Sequence, residues 1–275
     1  MTIAVAVKTS SAMVFAADSK TTTAGIAGLE QDGAPRWVEQ TYDNATKVVC
    51  DRSKTLMAMA AGYANVGRVA ATDFISTKTF GLVVGENAAE QDRRIRDFVA
   101  ELVVQKRAYW ETTQVDPSQW TGPTLLLAAP SPADASPRLW RVDLNGPDST
   151  VEEILQNPGI RLEGTYNAAF GVLYGYEPDV LRGIGTEVGV PYDRLLEATG
   201  KLTVLRPMDK MNLWTMPIQD AIDLAFFLAN HQEQMDRFLP GTPACGGPID
   251  VMVLQMAPDP GIVSFPGKVL HHPGQ

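Results

Sequence analysis

The sequence predicts an α+β domain in which two antiparallel sheets pack together with helices outside. Three observations carry this. Apolar residues alternate with a period of two in paired segments that each enclose a polar turn, long stretches elsewhere repeat apolar residues at helical spacing, and the two kinds do not alternate as βα units. Hairpins come first, then helices, a hairpin, more helices and a last hairpin across 275 residues. No connection is rich enough in Pro, Gly or Ser to divide the chain, and no internal repeat is present. The expectation is one domain, 1–275, ending in a hairpin and tail at about 257–275.

The first strand is "TIAVAV" at 2–7, with Ile3, Val5 and Val7 on one face and Thr2, Ala4 and Ala6 on the other. "KTSSA" turns the chain and "MVFAAD" returns. The stretch 26–46, "IAGLEQDGAPRWVEQTYDNAT", has no periodicity and reads as a long functional loop. A second hairpin spans "KVVCD RSK TLMAMAAG", a third "TLLLAAP SPADASP RLWRVDLNG", and a fourth "PIDVMVLQM" with "GIVSFPGK". Ile95, Phe98, Val99, Leu102 and Val103 mark an amphipathic helix within "AAEQDRRIRDFVAELVVQKRAYWETT". Shorter helices are expected at "VGRVAATDFIS" and at "EPDVLRGI", the latter opening on Glu177-Pro178. In "PIQDAIDLAFFLANHQEQMDRFL" apolar residues nearly encircle the helix from Leu224 to Ala229, so burial between two layers is expected.

A net charge of -9 argues against a nucleic-acid or anionic-membrane partner, since both require a basic surface. No apolar run approaches the roughly 18 residues of a membrane span, and "TIAVAV" is too short for a signal-peptide core. Cys50 and Cys245 are too few for a disulfide framework and fit a reducing compartment, so a cytoplasmic protein with two buried thiols is expected. "GIGTEVG" at 183–189 follows a helix rather than a strand and reads as a helix-ending turn, not a nucleotide-binding loop. His231, His271 and His272 have no Cys or carboxylate at ligand spacing, so neither a metal nor a cofactor is expected.

Thr2 carries the chemistry. Removal of Met1 would place a hydroxyl and a free α-amine on one residue. An α-amine with a reference pKa of about 7.7–8.0 is a usable base for activating that hydroxyl. The return strand delivers Asp18 in "FAADSK" beside the start of the first strand. Lys47 opens the next strand, whose partner ends in the small residues Ala60, Ala61 and Gly62.

Thr2, "AAD" at 16–18, Lys47 and "AAGYAN" at 60–65, in that order, resemble the proteasome-type N-terminal threonine hydrolases. The resemblance is closest to their bacterial relatives: HslV-type peptidases, Anbu and the beta-proteobacterial proteasome homologue. It resumes at "LLLAAP…PRLWRVDLNG" and "GGPIDVMVL" and so covers most of the chain. It implies a four-layer αββα sandwich and a homo-oligomeric double ring that encloses Thr2. It also implies peptide or unfolded-protein substrates, with an ATP-dependent unfoldase as a candidate partner.

The resemblance further implies Thr2 as nucleophile and amine base, Lys47 as the charge that favours the neutral amine, and Asp18 as the group holding Lys47. The N–H groups at Ala61 and Gly62 would form the oxyanion hole. Thr21, Val49, Met59 and Tyr63 would line an apolar substrate pocket. The chain departs from the family pattern in two places. The expected serine of a "GSGS"-like turn is missing from "AAFGVLYGYEPD", and the segment after the last long helix reads "MDRFLPGTPACGGPID". Asp236, Thr242 and Cys245 are the candidates for supporting the amine. No prosegment precedes Thr2, so removal of Met1 is expected to suffice. A retained Met1 would instead make a non-catalytic ring scaffold, and the same nucleophile could serve a small-molecule amidase.

Overall fold

The strands at both ends of the chain meet in one sheet. The computed structural model describes residues 2–29, 35–83, 86–113, 115–131, 136–201, 206–256 and 260–265, with backbone alone for 23–29 and 35–39. In chain order it forms β1 (Ile3–Lys8), β2 (Ala12–Asp18), β3 (Thr21–Leu29), β4 (Pro35–Tyr42), β5 (Val48–Cys50), β6 (Met57–Gly62), β7 (Asn65–Val66) and β8 (Val69–Ala70). Helices α1 (Ala71–Thr77) and α2 (Ala88–Thr113) follow, then β9 (Pro123–Pro130), β10 (Pro137–Asp143), β11 (Thr150–Ile154) and β12 (Gly159–Gly164). The chain continues through α3 (Asn167–Tyr174), α4 (Pro178–Val188), α5 (Tyr192–Gly200), α6 (Pro207–Lys210) and α7 (Ile218–Asp236) to β13 (Ile249–Gln255) and β14 (Gly261–Phe265).

Two five-stranded sheets result, ordered β12-β1-β2-β13-β14 and β11-β10-β9-β6-β5, with β3-β4 and β7-β8 as separate ribbons. Every pairing within the two large sheets is antiparallel. The period of two sorts their side chains among three apolar clusters. Ile3, Val5, Val7, Val14, Val251 and Val253 pack with Ala221, Ala225 and Leu228 of α7 and Ala169 and Leu173 of α3. From the opposite faces of β1 and β2, Ala4, Ala6, Met13, Phe15 and Ala17 meet Met57, Met59, Ala61, Leu126 and Ala128 of the other sheet. There the small alanines of β1 and β2 stand with the larger Met13, Phe15, Met57 and Met59 in one cluster. Ala58, Ala60, Leu125 and Leu127 face Ile75 of α1 and Ile95, Val99 and Leu102 of α2.

Local chemistry sets several boundaries. α2 opens with a reciprocal cap: Glu90 N–H donates to Asn87 Oδ1 at 3.0 Å and Asn87 N–H to a Glu90 carboxylate oxygen at 2.9 Å. α4 begins on Pro178 and ends at Gly189, whose φ of 68° is the left-handed stop that glycine adopts without strain. The β5–β6 turn is tied by Asp51, 1 % exposed, which accepts N–H bonds from Ser53, Thr55, Leu56 and Phe80 at 2.7–3.1 Å.

The four expected hairpins form with the expected pairing. Elsewhere the structure corrects the sequence reading. The expected loop at 26–46 is mostly the β3–β4 ribbon, paired from Thr21↔Tyr42 to Leu29↔Pro35. "GIGTEVG" lies within α4 up to its terminal glycine rather than forming a turn. α7 is not enclosed on all sides, because Phe226 and Phe227 are about half exposed while Ala221, Ala225, Leu228 and Ala229 are buried. Cys245 is buried, but Cys50 is only half-buried, and both are free thiols. His271, His272 and most of the expected tail lie outside the described residues.

Candidate active site

β1 and β2 pair in a register that sets Ala4 opposite Ala17, which brings Ile3 opposite Asp18 and leaves Thr2 one residue further on at the same end of the hairpin. Thr2 and Asp18 are both buried, at 3 % and 1 % exposure. The Asp18 carboxylate joins three segments of the chain. Its Oδ1 accepts the Ile3 N–H at 3.1 Å and the Lys47 Nζ at 2.8 Å. Its Oδ2 accepts the Gly246 N–H at 3.0 Å and the Lys20 N–H at 3.3 Å. Burial pushes this carboxyl above its usual range, and the Lys47 charge, the Lys47 hydrogen bond and the Gly246 and Ile3 N–H groups pull against that. The Asp18–Lys47 ion pair is therefore largely removed from water, where charge-assisted bonds are strongest.

The segments on either side are locked to the loop after β2. Ala45 N–H donates to Ser19 O at 2.8 Å, and Ser19 Oγ donates to Pro248 O at 2.6 Å. Gly247 has φ of 76°, and a Cβ there would lie 2.5 Å from the Asp43 carbonyl oxygen, so only glycine lets these two loops approach.

Gly164 and Thr165, neither singled out from the sequence, flank Thr2 on its other side. Thr165 N–H donates to Thr2 O at 2.7 Å. Gly164 has φ of 82°, and a Cβ on it would stand 1.9 Å from the same Thr2 oxygen. Thr165 lies just upstream of "AAFGVLYGYEPD" and meets Thr2 through its backbone N–H. A glycine before a hydroxyl residue at the end of a strand was the available signal, hidden because the strand itself was not recognised.

Ala61 and Gly62 end β6, opposite Thr124 and Pro123. Pro123 has no N–H to continue the ladder, and Gly62 turns away with φ of 77°. Ala60 N–H is used by Lys47 O at 2.9 Å, which fixes the end of β6 against the lysine just before β5.

The proposed amine-supporting set divides. Asp236 is buried and accepts the Cys245 N–H at 3.0 Å, which sets Gly246 against Asp18. The Cys245 thiol is 1 % exposed, and burial, with Asp18 and Asp236 nearby, pushes its pKa far up, so it is an inert packing group rather than a thiolate. Thr242 is exposed on the surface, outside this cluster.

The expected substrate pocket does not form as drawn. Met59, 1 % exposed, is sealed between the two sheets, and Val49 packs in the cluster against α1 and α2 on the other side of its sheet. Strand alternation separates them, because the β5–β6 register pairs Met59 with Val48, not Val49. Thr21 is half-buried and Tyr63 is 42 % exposed, so these two remain open to solvent.

Among the described residues no group of His, Cys, Asp and Glu is arranged to hold a metal ion, and no helix is long and apolar enough to cross a membrane. No protein-family model and no curated protein matches the chain. A solved structure does: Anbu, as its Gly-1 mutant, from Hyphomicrobium sp. strain MC1, with a TM-score of 0.50 over 97 % of this chain and 87 % of that one. At 16 % identity the likeness is one of fold, and it is to a member of the group that the motifs around Thr2 resemble.

Proposed function

We propose that this chain is a threonine-type endopeptidase subunit built on the four-layer αββα plan of the proteasome-like N-terminal-nucleophile hydrolases. After Met1 is removed, the Thr2 amine takes the proton of its own hydroxyl as Oγ1 attacks the substrate carbonyl carbon. N–H groups at Ala61 and Gly62 receive the developing oxyanion. Collapse of the tetrahedral species breaks the C–N bond, and the leaving amine takes the proton from the Thr2 ammonium. The freed amine then activates a water that hydrolyses the ester, returning the hydroxyl to Thr2.

Lys47 favours the neutral amine and the oxyanion, and Asp18 holds Lys47 in place. The observation that carries this reading is the buried Asp18 carboxylate, shared between the peptide N–H directly after Thr2 and the Lys47 ammonium at 3.1 and 2.8 Å. A merely structural turn residue has no need of a buried lysine. Asp236 and Cys245 act indirectly, by presenting Gly246 to Asp18. Thr21 and Tyr63 are the substrate-facing residues of the set named from the sequence.

A homo-oligomeric ring in the cytoplasm, taking peptide or unfolded-protein substrates, belongs to the same proposal. Exposed Phe226, Phe227, Phe238 and Leu239 at and just beyond α7 support it, since a monomer rarely shows so much apolar surface. The test is turnover of a fluorogenic peptide by wild type and by Thr2→Ala. Activity confined to wild type is expected, and equal turnover by the variant overturns the mechanism.

A further inference from the structure

We infer that Gln232 on α7 is a positioning residue for Thr2, an inference that rests on the peptidase reading above. Its side chain is 2 % exposed and closes a ring of hydrogen bonds around the site. On one side Gln232 Oε1 accepts the N–H groups of Ala168 and Ala169 at 2.9 and 3.3 Å, in the first turn of α3. That turn directly follows Thr165, whose N–H holds Thr2 O. On the other side Gln232 Nε2 donates to Asp236 Oδ1 at 2.8 Å, Asp236 Oδ2 accepts Cys245 N–H at 3.0 Å, and Gly246 N–H donates to Asp18 at 3.0 Å. One amide thus couples the segment that grips Thr2 from β12 to the segment that grips Asp18 from the loop before β13.

The chemistry requires an amide. Oε1 faces backbone donors, and Nε2 faces a carboxylate, so the orientation is fixed by its partners and both ends are used. Leucine would fill the space but strand two helix N–H groups and one carboxylate oxygen without their partner. Glutamate would keep the acceptor for α3 and set a second carboxylate against Asp236. Two carboxylates at that separation hold one shared proton, and the protonated pair would reproduce the donor that glutamine supplies. The titratable groups around the ring are Asp236, Cys245, Asp18 and Lys47, with Glu233 on α7 itself. Ala168 and Ala169, facing from α3, bring none.

The experiment measures kcat and KM for a fluorogenic peptide from pH 5 to 9 in wild type, Gln232→Leu and Gln232→Glu, with circular dichroism on each. A shift of Thr2 near 1 Å costs about 100-fold in rate, so Gln232→Leu should lose about that much in kcat with KM little changed. Gln232→Glu should be closest to wild type near pH 5 and fall progressively below it as the shared proton is lost. Should Gln232→Leu fail to fold, the pH profile of Gln232→Glu decides. A Gln232→Leu kcat near wild type, or a Gln232→Glu profile parallel to wild type, overturns the inference while an active wild type leaves the peptidase reading standing. A wild type that turns over no peptide overturns both.

Discussion

Gly164→Ala is the smallest change that addresses Thr2 without touching any group given a chemical role. The new methyl would stand 1.9 Å from the Thr2 carbonyl oxygen and 3.0 Å from its carbonyl carbon. Real Cβ atoms essentially never approach a neighbour closer than 3.0 Å, so Thr2 and Gly164 must separate by at least roughly 1 Å. Both atoms are backbone, so no side-chain rotation relieves the contact. The left-handed φ of 82° adds about 1–2 kcal/mol of strain for a residue with a Cβ. Because Thr165 N–H holds the same oxygen at 2.7 Å, the separation also loosens that bond. A displacement near 1 Å at the proposed nucleophile costs about 100-fold in rate, or about 2.7 kcal/mol of transition-state stabilisation. Steady-state peptide hydrolysis and thermal unfolding together measure the effect. The expected result is a folded, modestly destabilised variant with kcat about 100-fold down. A variant within about threefold of wild type would refute the claim that Thr2 must sit where Gly164 allows it.

Lys47→Ala should abolish turnover and also destabilise, because Asp18 is left buried without a cation, a loss of about 3–5 kcal/mol. Burial already raises the Asp18 carboxyl in the folded state, and without Lys47 it rises further, so the folded variant binds a proton more readily than the unfolded chain. Its stability relative to wild type should therefore recover as pH falls from 8 to 5, and unfolding curves showing no such recovery would contradict the pairing. Asp51→Asn tests the β5–β6 turn. Burial pushes Asp51 up, but bonds from Ser53, Leu56, Phe80 and Thr55 outweigh it and hold the carboxyl below its usual range. The ionised form thus stabilises the fold above the unfolded value of about 3.9, and this is lost as pH falls through the folded value. The variant should be about 2 kcal/mol less stable at pH 7 and converge with wild type in acid, measured by denaturant unfolding.

The alternation of Ile3, Val5 and Val7 with alanines, and of Met57 and Met59 with Ala58 and Ala60, made the central strands legible because both faces are buried and apolar. The edge strands β11 and β12 were not legible. In β11 the adjacent Glu152 and Glu153 break a two-residue apolar period, and in β12 that period runs only over Ile160 and Leu162, with Arg161 and Glu163 between and beyond them, too short a run to stand out. Missing β12 also concealed Gly164 and Thr165. Asp18 and Lys47 were legible because each sits at a strand end, where pairing dictates its neighbours. Gln232 was not, since an isolated glutamine on a helix carries no pattern, and its role exists only once α3 and the loop before β13 are brought to it. The substrate pocket failed for a related reason: Val49 and Met59 lie on adjacent strands, but register decides which face each one takes.

The proposed mechanism requires Thr2 to act as an N-terminal nucleophile whose own amine is the base. Intact-mass and peptide mass spectrometry of the native protein, before and after reaction with a threonine-directed covalent inhibitor, test it most directly. The expected result is a chain that begins at Thr2, with one inhibitor adduct per chain on that residue in wild type and none in Lys47→Ala. A chain that retains Met1 and takes no adduct would contradict it, because an acylated Thr2 nitrogen has no basicity to activate the hydroxyl.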